Sequence, residues 1–333
     1  MPIILAIESS CDETSAAICA DGVMLSNVIA NQTIHEAYGG VVPELASRVH
    51  QQNIIPAVQQ AIFNAKVSKN DIDAVAFTRG PGLLGSLLVG VSFAKAFALG
   101  QHIPLIEVNH MQAHILAHFI DTPKPTFPFL CLTVSGGHTQ IVLVKDHFDM
   151  EVIGQTQDDA AGEAMDKTSK ILGLPYPGGP LIDKYARQGN PNAYQFPEPQ
   201  IPGYNFSFSG LKTSILYFIQ RNQAQEPNFI QNHLADICAS VEHRIVTILL
   251  NKLQKAALDL GIKDVALAGG VSANTGLRQG LQALGQKHGW NTFIPQMQYC
   301  TDNAAMIAIA GHYKYLKGEF TDQHVAPLAR MPF

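Results

Sequence analysis

Apolar positions along this chain alternate between short runs typical of buried strands and longer stretches of helical period. Residues 3–7 and 16–19 predict two strands joined by the polar turn Ser9-Ser10-Cys11-Asp12-Glu13-Thr14. Leu45, Val49, Ile54, Val58 and Ile62 predict a helix over 45–65, kinked or broken at Pro56. A strand over 73–77, a Gly80-Pro81-Gly82 turn and a largely buried helix over 84–99 follow.

The second half restarts the same order. Residues 129–134 predict a strand, Ser135-Gly136-Gly137-His138-Thr139 a turn, and 140–144 the returning strand. A strand over 264–267 then leads through Ala268-Gly269-Gly270-Val271-Ser272-Ala273-Asn274 into a helix. Each half thus carries a hairpin followed by a strand–glycine–helix unit. The interval is longer in the second half, leaving an insertion at about 150–215 whose Gly, Pro and polar content predicts loops that touch ligand. The pattern predicts a duplicated α/β architecture with a cleft between two lobes. The Pro-rich stretch 122–128 reads as the crossing, giving an N-terminal lobe of 1–125 plus 303–333 and a C-terminal lobe of 126–302.

Composition agrees with two lobes. The 333 residues exceed the roughly 250–300 at which single cores stop growing, and 47% hydrophobic residues can fill two. Net charge is −5, without a basic run or tail, so a nucleic-acid substrate would need a partner or a local patch for much of its phosphate attraction. Five cysteines, an odd number with no CxxC pair, point to a reducing compartment. No signal peptide is legible at the start, and the uncharged stretch 80–94 meets Lys95 short of the roughly 18 residues a membrane span needs. The expectation is a cytoplasmic protein with no membrane partner.

Candidate chemistry lies in three constellations. The two hairpin turns stand at equivalent places in the halves, and Ser135-Gly136-Gly137 lets backbone amides converge on an anion. Asp12 and Glu13 in the other turn can manage a metal or a water, and Ala268–Asn274 suits a base or ribose. Either hairpin turn alone also reads as a tight connection needing small residues. His110, His114 and His118 are spaced four apart, so the first two share a helix face and can converge on a metal. Asp302 is the candidate third ligand, or else only the N-cap of the helix that follows. A zinc-protease reading fails at Met111, where that mechanism needs a glutamate. In the insertion, Asp159, Glu163 and Asp166 fall at helical i, i+4, i+7 spacing, which also reads as a solvated acidic helix start. Tyr176-Pro177-Gly178-Gly179-Pro180 followed by Asp183 suits a ribose clamp. The 206–213 segment, with Phe206, Ser207, Lys212 and Thr213, either grips a base or phosphate or edges a sheet.

These motifs, from Ile7–Thr14 and Tyr38–Arg48 through His110–His114, Val134–Gln140, Asp159–Lys167, Ser207–Thr213 and Ala268–Asn274 to Cys300–Asn303, run nearly end to end. The chain resembles the universal tRNA N6-adenosine threonylcarbamoyltransferases, formerly described as O-sialoglycoprotein endopeptidases. The resemblance implies a duplicated fold like that of actin, sugar kinases and heat-shock ATPases, with a nucleotide cleft. It implies transfer of threonylcarbamoyl from threonylcarbamoyl-adenylate to N6 of adenosine 37, in tRNAs reading codons that begin with A, with release of AMP. By position, His110, His114 and Asp302 resemble the ligands of one divalent metal, Fe(2+) or alternatively Zn(2+). Thr133, Val134, Ser135, Gly136, Gly137, Asp166, Gly179, Asp183 and Asn274 resemble the contacts to the adenylate or its threonylcarbamoyl group. Where archaeal and eukaryotic members carry a ligating tyrosine this chain has Thr133, and where they carry asparagine it has His138; the His138 form looks bacterial. Bacterial members imply an inactive paralogue as heterodimer partner and a small P-loop ATPase. Asp12, Glu13 and His138 are the candidates for removing the amine proton. A sugar-kinase-like phosphotransferase and a nucleotide-gated scaffold are the competing readings of the same fold.

Overall fold

The computed structural model describes every residue except 31–34, 36 and 37. The chain divides into two compact units, Met1–Lys124 with Pro295–Phe333, and Pro125–Ile294.

The first unit is built on β1 (Ile3–Glu8), β2 (Thr14–Ala20) and β3 (Val23–Ala30), followed by α1 (Pro43–Ala65), β4 (Ala74–Gly80), α2 (Leu84–Gln101), β5 (Leu105–Asn109) and α3 (His110–Leu116). Its sheet has the order β3-β2-β1-β4-β5, with the β1–β2 and β2–β3 pairs antiparallel and the β1–β4 and β4–β5 pairs parallel. Strand side chains alternate in direction. Leu5, Ile7, Ile18, Val75 and Phe77 join one cluster with Ile54, Val58 and Ala61 of α1 and Val91, Ala94 and Ala98 of α2. The alternate positions of the sheet are small, and α9 (Ala304–Lys317) packs there so closely that a Cβ on Gly311 would meet the Ala76 Cβ at 2.6 Å. Burial on both faces explains why β1, β2 and β4 read as continuous apolar runs. Helix α1 runs unbroken through Pro56, against the expected break. Helix α2 is long and apolar enough to cross a membrane, yet its Leu87, Val91, Ala94 and Ala98 are buried in this unit's core.

The second unit repeats the design. It contains β6 (Phe129–Val134), β7 (Thr139–Val144), β8 (Met150–Gln155), α4 (Ala161–Ile171), α5 (Gly178–Ala186), α6 (Ser209–Gln223), α7 (Phe229–Leu260), β9 (Asp264–Ala268), α8 (Thr275–His288) and β10 (Asn291–Phe293). The sheet order β10-β9-β6-β7-β8 is the order of the first unit read from the other edge, with the same parallel and antiparallel pairs. The insertion 150–215 holds β8, α4, α5 and the start of α6, with loops between them. Its Gly178, Gly179 and Pro180 open α5 rather than interrupt structure, as the first turn of a helix permits.

Candidate metal centre and anion-binding turns

Helix α3 begins at the carboxyl end of β5, capped by Asn109, whose side chain accepts from the backbone N–H of Met111 and Gln112. Helical spacing then puts His110 and His114 on one face, their rings edge to face with centroids 4.7 Å apart. His118 falls beyond α3 in a single 3-10 turn. The short loop before α9 brings in Asp302. The cap of α9 is Asn303, which accepts from Met306 N–H, so the N-cap reading of Asp302 is set aside.

His110 Nε2 and His114 Nε2 lie 3.4 Å and 3.1 Å from the same Asp302 Oδ1. Ligand atoms about 2.1 Å from a tetrahedral ion stand about 3.4 Å apart, so this spacing fits a divalent transition metal. One ligand atom from each of the three residues lies within 4.8 Å of the others, and two imidazoles with a carboxylate suit iron or zinc. Burial opposes charge here, but the two histidines hold the Asp302 carboxyl far below the usual range. His110 is raised well above its ordinary value, because Asp302 and Glu8 outweigh its own burial.

Glu8 was not anticipated as a site residue. It is fully buried and accepts from Ser10 N–H (2.5 Å), Thr78 Oγ1 (2.5 Å) and His110 Nδ1 (3.2 Å). Its only trace in the sequence is an acidic residue closing an apolar strand. The turn after it carries Asp12 and Glu13. His50 of α1 pins that turn: its Nδ1 is 2.7 Å from Thr14 Oγ1 and its Nε2 3.0 Å from the Cys11 carbonyl, which also accepts from Ser86 Oγ. Burial, reinforced by Asp302 and Asp12, pushes the Glu13 carboxyl up to about 9. The same burial raises the Cys11 thiol.

In the second unit the turn after β6 is closed by Ser135 N–H donating to the His138 carbonyl and His138 N–H to Ser135 Oγ. The start of α4 tucks under it, where a Cβ on Gly162 would meet the Ser135 carbonyl at 2.6 Å. Gly136 and Gly137 are different. They are exposed, neither has positive φ, and a Cβ on either would touch nothing described within 4 Å. No positive φ and no neighbouring atom within this unit requires glycine at either position. Thr133 and Val134 are fully buried in β6.

The remaining expected contacts fall into two small groups. Asp166 Oδ1 accepts from both Gly178 and Gly179 N–H, so it caps α5 and engages the Gly179 amide itself. Asp183 accepts from Thr275 N–H and Oγ1 and pairs with Arg187. Asn274 caps α8 through Leu277 N–H and donates to Glu242 at 2.5 Å. Glu242, on α7, was missed by the sequence reading; burial pushes it up to about 7, with Asn274 opposing and Asp183 reinforcing the shift. Asp159 and Glu163 both pair with Lys167, which accounts for two of the acidic residues in that run as a surface ion cluster. Asp12, Glu13 and the metal trio belong to the first unit, His138 and the nine expected substrate contacts to the second.

Comparison with known proteins adds a family. Residues 23–309 match the family model described as tRNA N6-adenosine threonylcarbamoyltransferase. A Christiangramia forsetii protein of that name is 62% identical, with 99% of this chain and 98% of its own covered. Namesakes from Porphyromonas gingivalis and Thermosipho africanus are 59% and 50% identical, covering 99% and 96% of this chain and 98% and 96% of their own. Among solved structures, HypF of T. kodakarensis superposes at TM-score 0.61 with 14% identity, over 96% of this chain and 49% of its own. Component A of the Acidaminococcus fermentans (R)-2-hydroxyglutaryl-CoA dehydratase superposes at 0.55 with 16% identity, over 95% and 99%. At such identities these structures speak for the fold alone, the duplicated actin- and sugar-kinase-like α/β organisation expected from the sequence.

Proposed function

This chain belongs to the tRNA N6-adenosine threonylcarbamoyltransferase family, tRNA-modifying transferases, and on that premise we propose that it moves threonylcarbamoyl from threonylcarbamoyl-adenylate to N6 of adenosine 37. The tRNAs would be those reading codons that begin with A. The observation that carries the metal-dependent reading is the convergence of His110 and His114 on one Asp302 oxygen.

The chemistry sets what the chain must do. The exocyclic amine of adenine is a poor nucleophile because its lone pair is delocalised into the ring. The carbamoyl carbon therefore has to arrive activated, as the mixed anhydride with AMP. The amine nitrogen forms a bond to that carbon, the carbon–oxygen bond to the phosphate breaks, AMP departs with the electron pair, and a proton leaves the nitrogen. His110, His114 and Asp302 would hold one divalent ion, Fe(2+) or Zn(2+), which supplies Lewis-acid polarisation of an acyl or phosphate oxygen. The open amides of Gly136 and Gly137, with Thr133, Val134 and Ser135 behind them, would receive the phosphate. Asp166 Oδ2, Gly179, Asp183 and Asn274 would frame the nucleoside. Asp12, Glu13 and His138 are our candidates for taking the amine proton, Glu13 only after losing its own, because burial pushes it up to about 9.

The mild net charge of −5 supports a reading in which the chain does not grip tRNA unaided. We assign it an inactive paralogue as heterodimer partner and a small P-loop ATPase, in the cytoplasm, where all five free cysteines would stay reduced. The test is nucleoside mass spectrometry of tRNA incubated with the chain, those partners and threonylcarbamoyl-adenylate. Threonylcarbamoyl-adenosine is the expected product. ATP hydrolysis driven by a small polyol, without modified nucleoside, would favour the kinase reading instead.

A further inference from the structure

The two histidines of the metal trio are wired differently. His114 Nδ1 is buried and has no hydrogen-bond partner among the described residues. His110 Nδ1 faces Glu8 Oε2 at 3.2 Å and Ser10 Oγ at 3.2 Å. Glu8 is itself immobilised: Oε1 accepts from Ser10 N–H, and Oε2 also accepts from Thr78 Oγ1, both at 2.5 Å. These bonds tie the carboxyl to the end of β1, to the following turn and to β4.

We propose that Glu8 is the positioning residue of the metal centre, holding the proton of His110 on Nδ1 so that Nε2 presents its lone pair toward Asp302. This rests on the reading of His110, His114 and Asp302 as a metal site. An imidazole can ligate through one nitrogen only if its proton resides on the other or is lost. A carboxylate offers only acceptors, so a hydrogen bond from the Nδ1 side fixes the tautomer and the ring plane together. Asp302 alone does not select it, because Asp302 would equally accept a proton from Nε2.

Glu8→Gln separates orientation from bulk. With the amide oxygen toward Ser10 N–H, the NH2 group meets His110 Nδ1, which must then accept, and the imidazole proton moves to Nε2. With the amide reversed, NH2 meets Ser10 N–H, donor against donor. In either arrangement the ligating lone pair is lost or the turn is displaced.

The experiment is competition of Zn(2+) and Co(2+) binding against a chromophoric chelator, on full-length wild type, Glu8→Gln and Thr78→Val. Histidine nitrogen NMR of the zinc-loaded wild type runs alongside. The expected result is affinity weaker by about 10–100-fold in Glu8→Gln and less so in Thr78→Val, which keeps the carboxylate. In wild type, two histidines should be protonated at Nδ1 and ligated through Nε2, and one of the two signals should be lost in His110→Ala. Equal affinities in wild type and Glu8→Gln, or ligation of His110 through Nδ1, would overturn the proposal. If Glu8→Gln does not fold, the wild-type NMR assignment decides alone. Absence of metal binding by wild type would defeat the metal reading itself, and this inference with it.

Discussion

The turn after β1 and the turn after β6 occupy the same place in two copies of one sheet topology, and they are built in opposite ways. The surrounding scaffolds are alike. After β4, a Cβ on Gly82 would meet the Ser10 carbonyl at 2.5 Å; after β9, a Cβ on Gly269 would meet the Val134 carbonyl at 2.5 Å. In both units a glycine after the neighbouring parallel strand lets the backbone press against the hairpin. What the hairpins present differs. Ser9 and Ser10 are buried and the first turn is wired to His50, His110, Ser86 and Thr78 through Glu8 and Cys11. The second leaves Gly136 and Gly137 bare at the surface. Of two equivalent turns, one is a hydrogen-bonded mount beside the candidate metal ligands His110 and Asp302, the other an open row of amides.

The sharpest way to break this contrast is to remove a ligand from the first unit. His110→Ala or Asp302→Ala should abolish transfer while leaving the fold intact, read as loss of modified nucleoside with an unchanged circular dichroism spectrum. Normal turnover by a metal-free variant would remove the metal from the account. Next is the shared scaffold. Gly269 has φ of +83° as well as its close contact, so Gly269→Ala should destabilise by about 3 kcal/mol, measured by urea unfolding.

The open turn predicts the reverse behaviour. Gly137→Ala meets no neighbour, so stability should hold within about 0.5 kcal/mol. Adenylate affinity should nevertheless fall about tenfold by calorimetry, about 1.4 kcal/mol, because the methyl stands where the phosphate would approach. An unchanged affinity would leave the bare glycines without a purpose.

The carboxyls sharpen the comparison further. In the first unit histidines keep Glu8 and Asp302 low despite burial. Burial, reinforced by Asp183, raises Glu242 in the second from 4.5 to about 7. The folded state therefore binds this proton more tightly than the unfolded chain. The stability it contributes is full below pH 4.5 and is lost as pH rises through about 7. Glu242→Gln, which mimics the protonated acid, should flatten that slope and gain about 1 kcal/mol at pH 8 relative to wild type.

How much of this was legible beforehand follows from what each feature depends on. The central strands β1, β2, β6, β7 and β9 were readable because burial on both faces forces apolar runs. The edge strands β3 and β8 were not, since partial exposure leaves them mixed, and β10 has only three residues. The pair His110 and His114 was visible because helical spacing is local. Asp302 was named as a candidate ligand or cap; that Asn303 takes the cap and that both histidines converge on Asp302 are tertiary facts. Glu8, His50 and Glu242 left no usable pattern: their partners lie up to 102 positions away, as between Glu8 and His110.

The most direct test of the central claim is nucleoside mass spectrometry on tRNA incubated with threonylcarbamoyl-adenylate, the partner proteins, and either wild type or Asp302→Ala. The account predicts threonylcarbamoyl-adenosine at position 37 with wild type and none with the variant. Equal product from both, or none from wild type beside an active family member, would contradict it.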